Sequence, residues 1–129
     1  MMKHFFVLFS LMLLFASCTE KEDDNCESRE KAWVKVVSAP TTGVVNQNVK
    51  FDLTFNVGNG CGSFDKIEEA GTLMDKKLTV YAKYVGCNCT QDAPTISTSY
   101  NFKPSVAGNY SLTFQTGDNK FDIFNVKVN

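Results

Sequence analysis

Residues 49–57 read VKFDLTFNV, and apolar and polar side chains alternate strictly along the segment. Successive side chains of a β-strand point to opposite faces, so this alternation predicts a strand with one face on a core and one in water. The predicted core-facing residues are Val49, Phe51, Leu53, Phe55 and Val57. This segment therefore indicates a β-protein with at least one half-buried sheet.

Six further runs have the same period of two, although less strictly, and turn-forming residues separate them. They are Trp33–Ser38, Phe64–Glu69, Lys77–Val85, Thr95–Phe102, Tyr110–Gln115 and Lys120–Val128. No window has a convincing helical period. About seven short strands with frequent turns predict an all-β, antiparallel β-sandwich over residues 32–129. In the last run the apolar phase slips between Ile123 and Phe124, which predicts a β-bulge there.

The segment Pro104–Leu112, PSVAGNYSL, resembles the approach to strand F of immunoglobulin-like domains. In that family an A/G-x-Y pattern forms a tyrosine corner, whose hydroxyl bonds back to the preceding turn. The resemblance implies an immunoglobulin-like β-sandwich with Tyr110 as the corner tyrosine. Leu112 stands where antibody domains carry their second cysteine, and Trp33 lies in the first strand rather than the third. The resemblance therefore implies no antibody-type disulfide between the sheets.

The first 18 residues resemble the signal peptide and lipobox of bacterial lipoproteins. Lys3 is followed by an apolar run over residues 5–16, and small residues precede Cys18. That run is shorter than the roughly 20 residues that a membrane-spanning helix needs. Phe15 occupies the position where the family usually has Leu. The resemblance implies cleavage after residue 17 and a diacylated Cys18, which would anchor the chain to a membrane of the bacterial cell envelope.

Residues 18–31 are almost entirely polar, with acidic residues in excess, and we expect them to form a solvated tether. Four acidic residues follow Cys18 closely: Glu20, Glu22, Asp23 and Asp24. Such residues resemble a surface-export signal of some Gram-negative lipoproteins, and they also suit a simple spacer. Both locations of an outer-membrane lipoprotein therefore stay open, the periplasmic side and the cell surface.

The chain has five cysteines, and lipidation of Cys18 leaves an even number for disulfides. If consecutive strands run up and down, Cys26, Cys61, Cys87 and Cys89 all fall at one end of the sandwich. A hairpin centred near Met74 would place Cys61 opposite Cys87, which favours the pairs Cys61–Cys87 and Cys26–Cys89. The pairing with exchanged partners stays open. A metal or redox site at Cys61, Cys87 and Cys89 is a further alternative, because thiolates bind copper(I) and zinc.

The part of the chain after Cys18 contains no histidine, since the single one is His4. This excludes Ser–His–Asp and Cys–His nucleophiles and histidine-ligated zinc. Glu68 and Glu69 are adjacent in a predicted strand and should point to opposite faces, so they do not form a catalytic pair. The net charge is −1, and no basic stripe suggests nucleic-acid binding. We expect no enzyme activity, no cofactor and no metal.

These features predict a non-catalytic, lipid-anchored binding module that presents loops to a protein or a glycan. Its loops would be 40–48, 70–76 and 103–109, at the end away from the tether. An alternative is a protease inhibitor, because Pro40-Thr41-Thr42-Gly43 resembles part of a loop in chagasin-type inhibitors. Some aromatic surface is also expected, since Phe64, Tyr81 and Tyr84 cannot all face inward on their strands.

Overall fold

The structure is a computed structural model that describes residues 25–129; the predicted signal peptide and Cys18 lie outside the described residues. Within this range all regular structure is strand, in nine segments. They are β1 (Glu27–Ala32), β2 (Val34–Ser38), β3 (Thr42–Gly43), β4 (Val49–Asn56), β5 (Gly62–Gly71), β6 (Asp75–Val85), β7 (Thr95–Phe102), β8 (Gly108–Gly117) and β9 (Lys120–Val128). No helix in residues 25–129 has the length and apolar character needed to cross a membrane.

The strands form two packed sheets, which confirms the predicted β-sandwich. One sheet has the order β2-β4-β7, and the other contains β1, β3, β5, β6, β8 and β9. Most neighbouring strands are antiparallel, but β6 pairs with β8 and β3 pairs with β9 in parallel. All seven predicted runs are strands, and β1 and β3 are additional.

The core lies between the sheets and is centred on Phe51. Its ring lies 5.5 Å from that of Phe114 and 6.1 Å from that of Phe124 between centroids. Leu53 and Phe55, from the alternating segment of β4, are also fully buried. Each such side chain stabilises the fold by about 2 kcal/mol relative to an exposed one, so the alternation of β4 has a large energetic consequence.

Strand β1 corrects the predicted tether. Residues 27–31 are exposed to solvent, as expected, but they do not form a free tether, because they pair with β6 over a register that runs from Glu27↔Val85 to Ala32↔Val80. The chain then passes from one sheet to the other at Trp33. Ala32, the last residue of β1, and Val34, the first residue of β2, are both buried. Backbone pairing along β6 and the burial of Ala32 hold β1 in place, although its sequence has no apolar alternation. The folded part therefore begins before residue 32.

The predicted bulge is in the neighbouring strand rather than in β9. The register between β8 and β9 shifts between Gln115 and Gly117, whereas the pairing is regular at Ile123 and Phe124. Phe124 faces the core, and Phe121 and Ile123 lie exposed on the outer face of the sheet. The apolar pattern changes phase because Phe121 and Ile123 are apolar but face outward, and β9 has no bulge at Ile123 and Phe124.

Candidate functional site

The four described cysteines lie at one end of the sandwich, which we call the cysteine pole, and form two disulfides. Cys26 is bonded to Cys87 and Cys61 to Cys89, with Cα–Cα distances of 5.0 and 5.4 Å. The prediction that the cysteines cluster at one end is confirmed. The favoured pairing, Cys61–Cys87 with Cys26–Cys89, is wrong, and the pairing with exchanged partners is the one found.

The register of β1 explains the pairing. Because Glu27 lies opposite Val85, Cys26 comes beside the turn that follows β6, where its carbonyl oxygen accepts a hydrogen bond from Gly86 N–H at 2.9 Å. Cys87 is therefore next to Cys26, and Cys61 bonds to the cysteine two residues further along. All four sulfur atoms are in disulfides. Residues 25–129 contain no group of three or more His, Cys, Asp or Glu side chains placed to hold a metal ion.

Hydrogen bonds join the loops of the cysteine pole. Gly60 N–H donates to the carbonyl oxygen of Thr90 at 3.0 Å, and a Cβ at position 60 would come within 1.8 Å of Thr90 Oγ1. Gly58 N–H donates to the hydroxyl oxygen of Tyr84 at 2.9 Å, and Cys61 N–H donates to Asn59 Oδ1 at 2.9 Å. Loops 58–60 and 86–91 are thus fixed both to each other and to β6.

A cleft of about 930 Å³ opens between these loops and the six-stranded sheet. The start of β1 and the end of β6 form its floor, and loops 58–60 and 86–91 form its walls. The side chains that bear on its chemistry are those of Ser28, Glu30, Asn59, Tyr84, Asn88 and Gln91. The cleft is therefore lined by hydroxyl, amide and carboxylate groups together with cysteines of both disulfides.

The opposite end of the sandwich, which we call the loop pole, carries the three loops predicted to bind a partner: 40–48, 70–76 and 103–109. Asn46 N–H donates to the carbonyl oxygen of Pro104 at 2.7 Å, which joins the first loop to the third. Ser111 N–H donates to the carbonyl oxygen of Met74 at 2.7 Å, which joins the second loop to the start of β8. The structure therefore brings the three loops together.

Each loop of the loop pole exposes one aliphatic side chain to solvent. The exposed fractions are 49% for Val44, 54% for Leu73 and 47% for Val106. An exposed aliphatic residue is ordinary on its own, and here each of the three loops at this end of the sandwich carries one.

Tyr110 fixes the third of these loops. It is only 1% exposed, and its hydroxyl donates to the carbonyl oxygen of Val106 at 2.7 Å. This is the contact that the resemblance to a tyrosine corner implies. The ring also packs 5.5 Å from that of Phe102. Val106 is thus held in a defined position although its side chain is exposed.

The motif that resembles a protease-inhibitor loop is partly a strand. Thr42 and Gly43 form β3, which pairs with Lys127 and Val128 of β9. Lys127 N–H also donates to the carbonyl oxygen of Thr41 at 2.9 Å. The segment is therefore held against the sheet edge rather than projecting as an inserting loop.

Glu68 and Glu69 face opposite sides of β5, as the sequence predicted, and each has its own partners. Glu68 pairs with Lys66 on the outer face at 2.6 Å. Glu69 accepts a hydrogen bond from the Tyr100 hydroxyl across the gap between the sheets and pairs with Lys76 at 3.1 Å. The Tyr100 hydrogen bond, with that of Lys76, holds the pKa of Glu69 below its ordinary value, while burial raises the pKa of Tyr100.

The outer face of the six-stranded sheet carries the exposed aromatic surface. Tyr81 faces outward beneath Lys66, with Nζ 5.2 Å from the ring centroid. Phe121 lies on the same face under Lys77, at 4.5 Å. Phe64 and Tyr84 are partly buried against the core. Of the three aromatic residues that were expected not to face inward together, Tyr81 is the one that faces outward.

Sequence reasoning missed two groups of residues. Ser28 and Glu30 were assigned to the tether, and no apolar alternation marked them as part of a strand that lines a cleft. The bridge from Tyr100 to Glu69 joins two sheets, and only the alternation that points both residues inward could have suggested it. In both cases the missing information was the pairing of distant strands.

One comparison with known proteins finds a match. A family model described as the ORF11 beta-sandwich domain matches residues 51–126, from β4 into β9. No curated protein and no solved structure matches the chain. The matched region is more than half of the 129 residues and contains most of the core, so the chain belongs to the ORF11 beta-sandwich domain family.

Proposed function

We propose that this protein is a non-catalytic, lipid-anchored accessory module of the bacterial cell envelope that binds a protein partner through its loop pole. The anchor would be Cys18, exposed as a new N-terminus after removal of residues 1–17. Two features of the sequence support the anchor: the resemblance to a lipobox, and an even number of cysteines once Cys18 is lipidated.

The observation that carries the proposal is the set of exposed side chains Val44, Leu73 and Val106, one on each loop of the loop pole. Burying an aliphatic side chain in an interface contributes about 1 to 2 kcal/mol. Loops 40–48 and 103–109 are already joined by a hydrogen bond, and loop 70–76 is hydrogen-bonded to β8, so little conformational freedom would be lost on binding.

The position of the anchor supports the same orientation. The described chain begins at Asn25, next to the Cys26–Cys87 disulfide and at the end opposite the three loops. An acyl group on Cys18 would hold the cysteine pole towards the membrane and direct the loop pole away from it. A partner in the surrounding space would then meet the three exposed aliphatic side chains first.

Site-specific photo-crosslinking in the producing cells tests the proposal. A benzophenone amino acid at position 73 should give a discrete covalent adduct with one protein after irradiation, and Val106→Asp should abolish that adduct. The matched control is position 123, because Ile123 is 63% exposed but lies on the outer face of β9. No adduct from position 73, or the same adduct from position 123, would contradict the proposal.

Two further measurements address the remaining parts. Cys18→Ser should move the protein from the membrane fraction to the soluble fraction; if it stays membrane-bound, the proposed anchor is wrong. A papain inhibition assay addresses the inhibitor alternative. We expect no inhibition, because Thr42 and Gly43 are paired with β9.

A further inference from the structure

The floor of the cleft at the cysteine pole is built from strand positions that elsewhere point into the core. Ser28 and Glu30 lie on the same face of β1 as the buried Ala32. Tyr84 lies on the same face of β6 as the buried Ala82. Polar residues at core-facing positions are unfavourable unless water or a ligand reaches them.

The cleft exists because the two sheets differ in extent. β4 ends at Asn56 and β7 begins at Thr95. At the cysteine pole, the start of β1 and the end of β6 therefore have loops rather than a strand opposite them. The two disulfides hold those loops, since Cys61 is bonded to Cys89 and Cys87 to Cys26. The space is therefore preformed, and its walls are covalently fixed.

Several polar groups in the cleft are available to a ligand. Within residues 25–129 the side chains of Ser28, Glu30 and Asn88 make no hydrogen bond or ion pair with the rest of the protein. The Tyr84 oxygen accepts from Gly58 N–H, so its own proton is free to donate. The cleft thus offers a carboxylate acceptor, an amide that both donates and accepts, and two hydroxyl groups.

The charge of the cleft limits the class of ligand. Its one unpaired charged side chain is the carboxylate of Glu30, because Glu27 pairs with Arg29 at 2.7 Å on the opposite face of β1. No Lys or Arg is among the described residues that line the cleft. Phosphorylated and other anionic ligands would be repelled. A neutral sugar fits, because each of its hydroxyl groups donates and accepts, and its apolar face can pack on the Tyr84 ring.

We propose that this cleft is a binding site for a neutral oligosaccharide, with Glu30 and Asn88 as the main hydrogen-bonding residues and Tyr84 as the packing surface. The site is separate from the loop pole, so it does not depend on the protein partner proposed above. Solvent-exposed polar sites of this kind bind weakly, with dissociation constants of roughly 0.1 to 1 mM.

Saturation-transfer NMR on the full lipoprotein tests this proposal, in a zwitterionic detergent micelle without a sugar headgroup. The probes are maltotriose, cellotriose, laminaritriose and N,N′,N″-triacetylchitotriose, with trigalacturonic acid as the anionic comparison. We expect saturable binding of at least one neutral trisaccharide and no binding of the acidic one. Glu30→Ala and Asn88→Ala should each weaken binding about tenfold, because each removes hydrogen bonds to the ligand.

Glu68→Ala is the matched control, since it removes an exposed carboxylate from the outer face of the sheet and should leave binding unchanged. Binding of no neutral trisaccharide up to about 10 mM would overturn the proposal. Binding that survives both Glu30→Ala and Asn88→Ala, or that favours the acidic trisaccharide, would overturn it as well. None of these results would affect the crosslinks expected from position 73.

Discussion

Removing one disulfide at a time should destabilise the domain by similar amounts. The Cys26–Cys87 bridge joins residues 61 apart, and the Cys61–Cys89 bridge joins residues 28 apart. The loss of loop entropy in the unfolded chain then gives about 4 kcal/mol for the first bridge and about 3.5 kcal/mol for the second. Either loss is a large fraction of the roughly 5 to 15 kcal/mol that stabilises a typical domain.

The assay is urea denaturation followed by the fluorescence of Trp33, the single tryptophan, which lies between β1 and β2. A Cys18→Ser background leaves only the four disulfide cysteines. Cys26→Ser with Cys87→Ser should lower the free energy of unfolding by about 4 kcal/mol, with no thiol reactive to maleimide in the folded protein. A mismatched pair of substitutions, at Cys26 and Cys89, removes one partner from each bridge.

Double variants are needed because tryptic peptide mapping cannot resolve the pairing. Only Asn88 separates Cys87 from Cys89, so both cysteines stay on one peptide. The reasoning is refuted if Cys61 and Cys89 react as free thiols in the variant without Cys26 and Cys87. The variant without Cys26 and Cys89 keeps Cys61 and Cys87, which should stay unpaired. The pairing is also refuted if these two cysteines form a disulfide and this variant is more stable than the one without Cys26 and Cys87.

Three other substitutions test particular contacts. Tyr110→Phe keeps the ring but removes the 2.7 Å hydrogen bond to Val106, and should cost about 1 kcal/mol in urea denaturation. Gly71→Ala should cost about 2 kcal/mol or more, because Gly71 has a φ of +97° and a Cβ there would come within 2.2 Å of a backbone oxygen. Glu69 has a folded pKa below its ordinary 4.5, so its stabilising effect is complete above that pH and is lost as pH falls through the folded value. Glu69→Gln should therefore flatten the acid limb of a stability–pH curve, and a limb that is unchanged would show that the Tyr100 hydrogen bond contributes nothing.

The sandwich could be predicted because its central strand has an unambiguous pattern. Phe51, Leu53 and Phe55 alternate with polar residues, and all three are buried in the structure. The pattern was misleading in β9, where Phe121 and Ile123 are apolar but face solvent. Lys77 lies over the Phe121 ring, which partly covers this apolar surface in a way that no local pattern reveals.

The cysteine pairing could not be predicted because it depends on a strand without an apolar signal. β1 reads ESREKA, and only Ala32 reaches the core. The other core-facing positions of β1 line an open cleft, where polar side chains are tolerated. Without β1 in place, the hairpin between β5 and β6 was the only guide, and it suggested the wrong partner for Cys61.

The same strand changes what the proposed anchor can do. A free tether through residue 31 would have let the domain move about 40 Å from the membrane. Because Cys26 is bonded to Cys87, the distance between an anchor at Cys18 and the domain is set by eight residues, which span about 28 Å at most. A lipid on Cys18 would therefore keep the cleft close to the membrane and hold the loop pole further out by the length of the strands. On this geometry a sugar and a protein partner would bind at opposite ends, and neither would block the other.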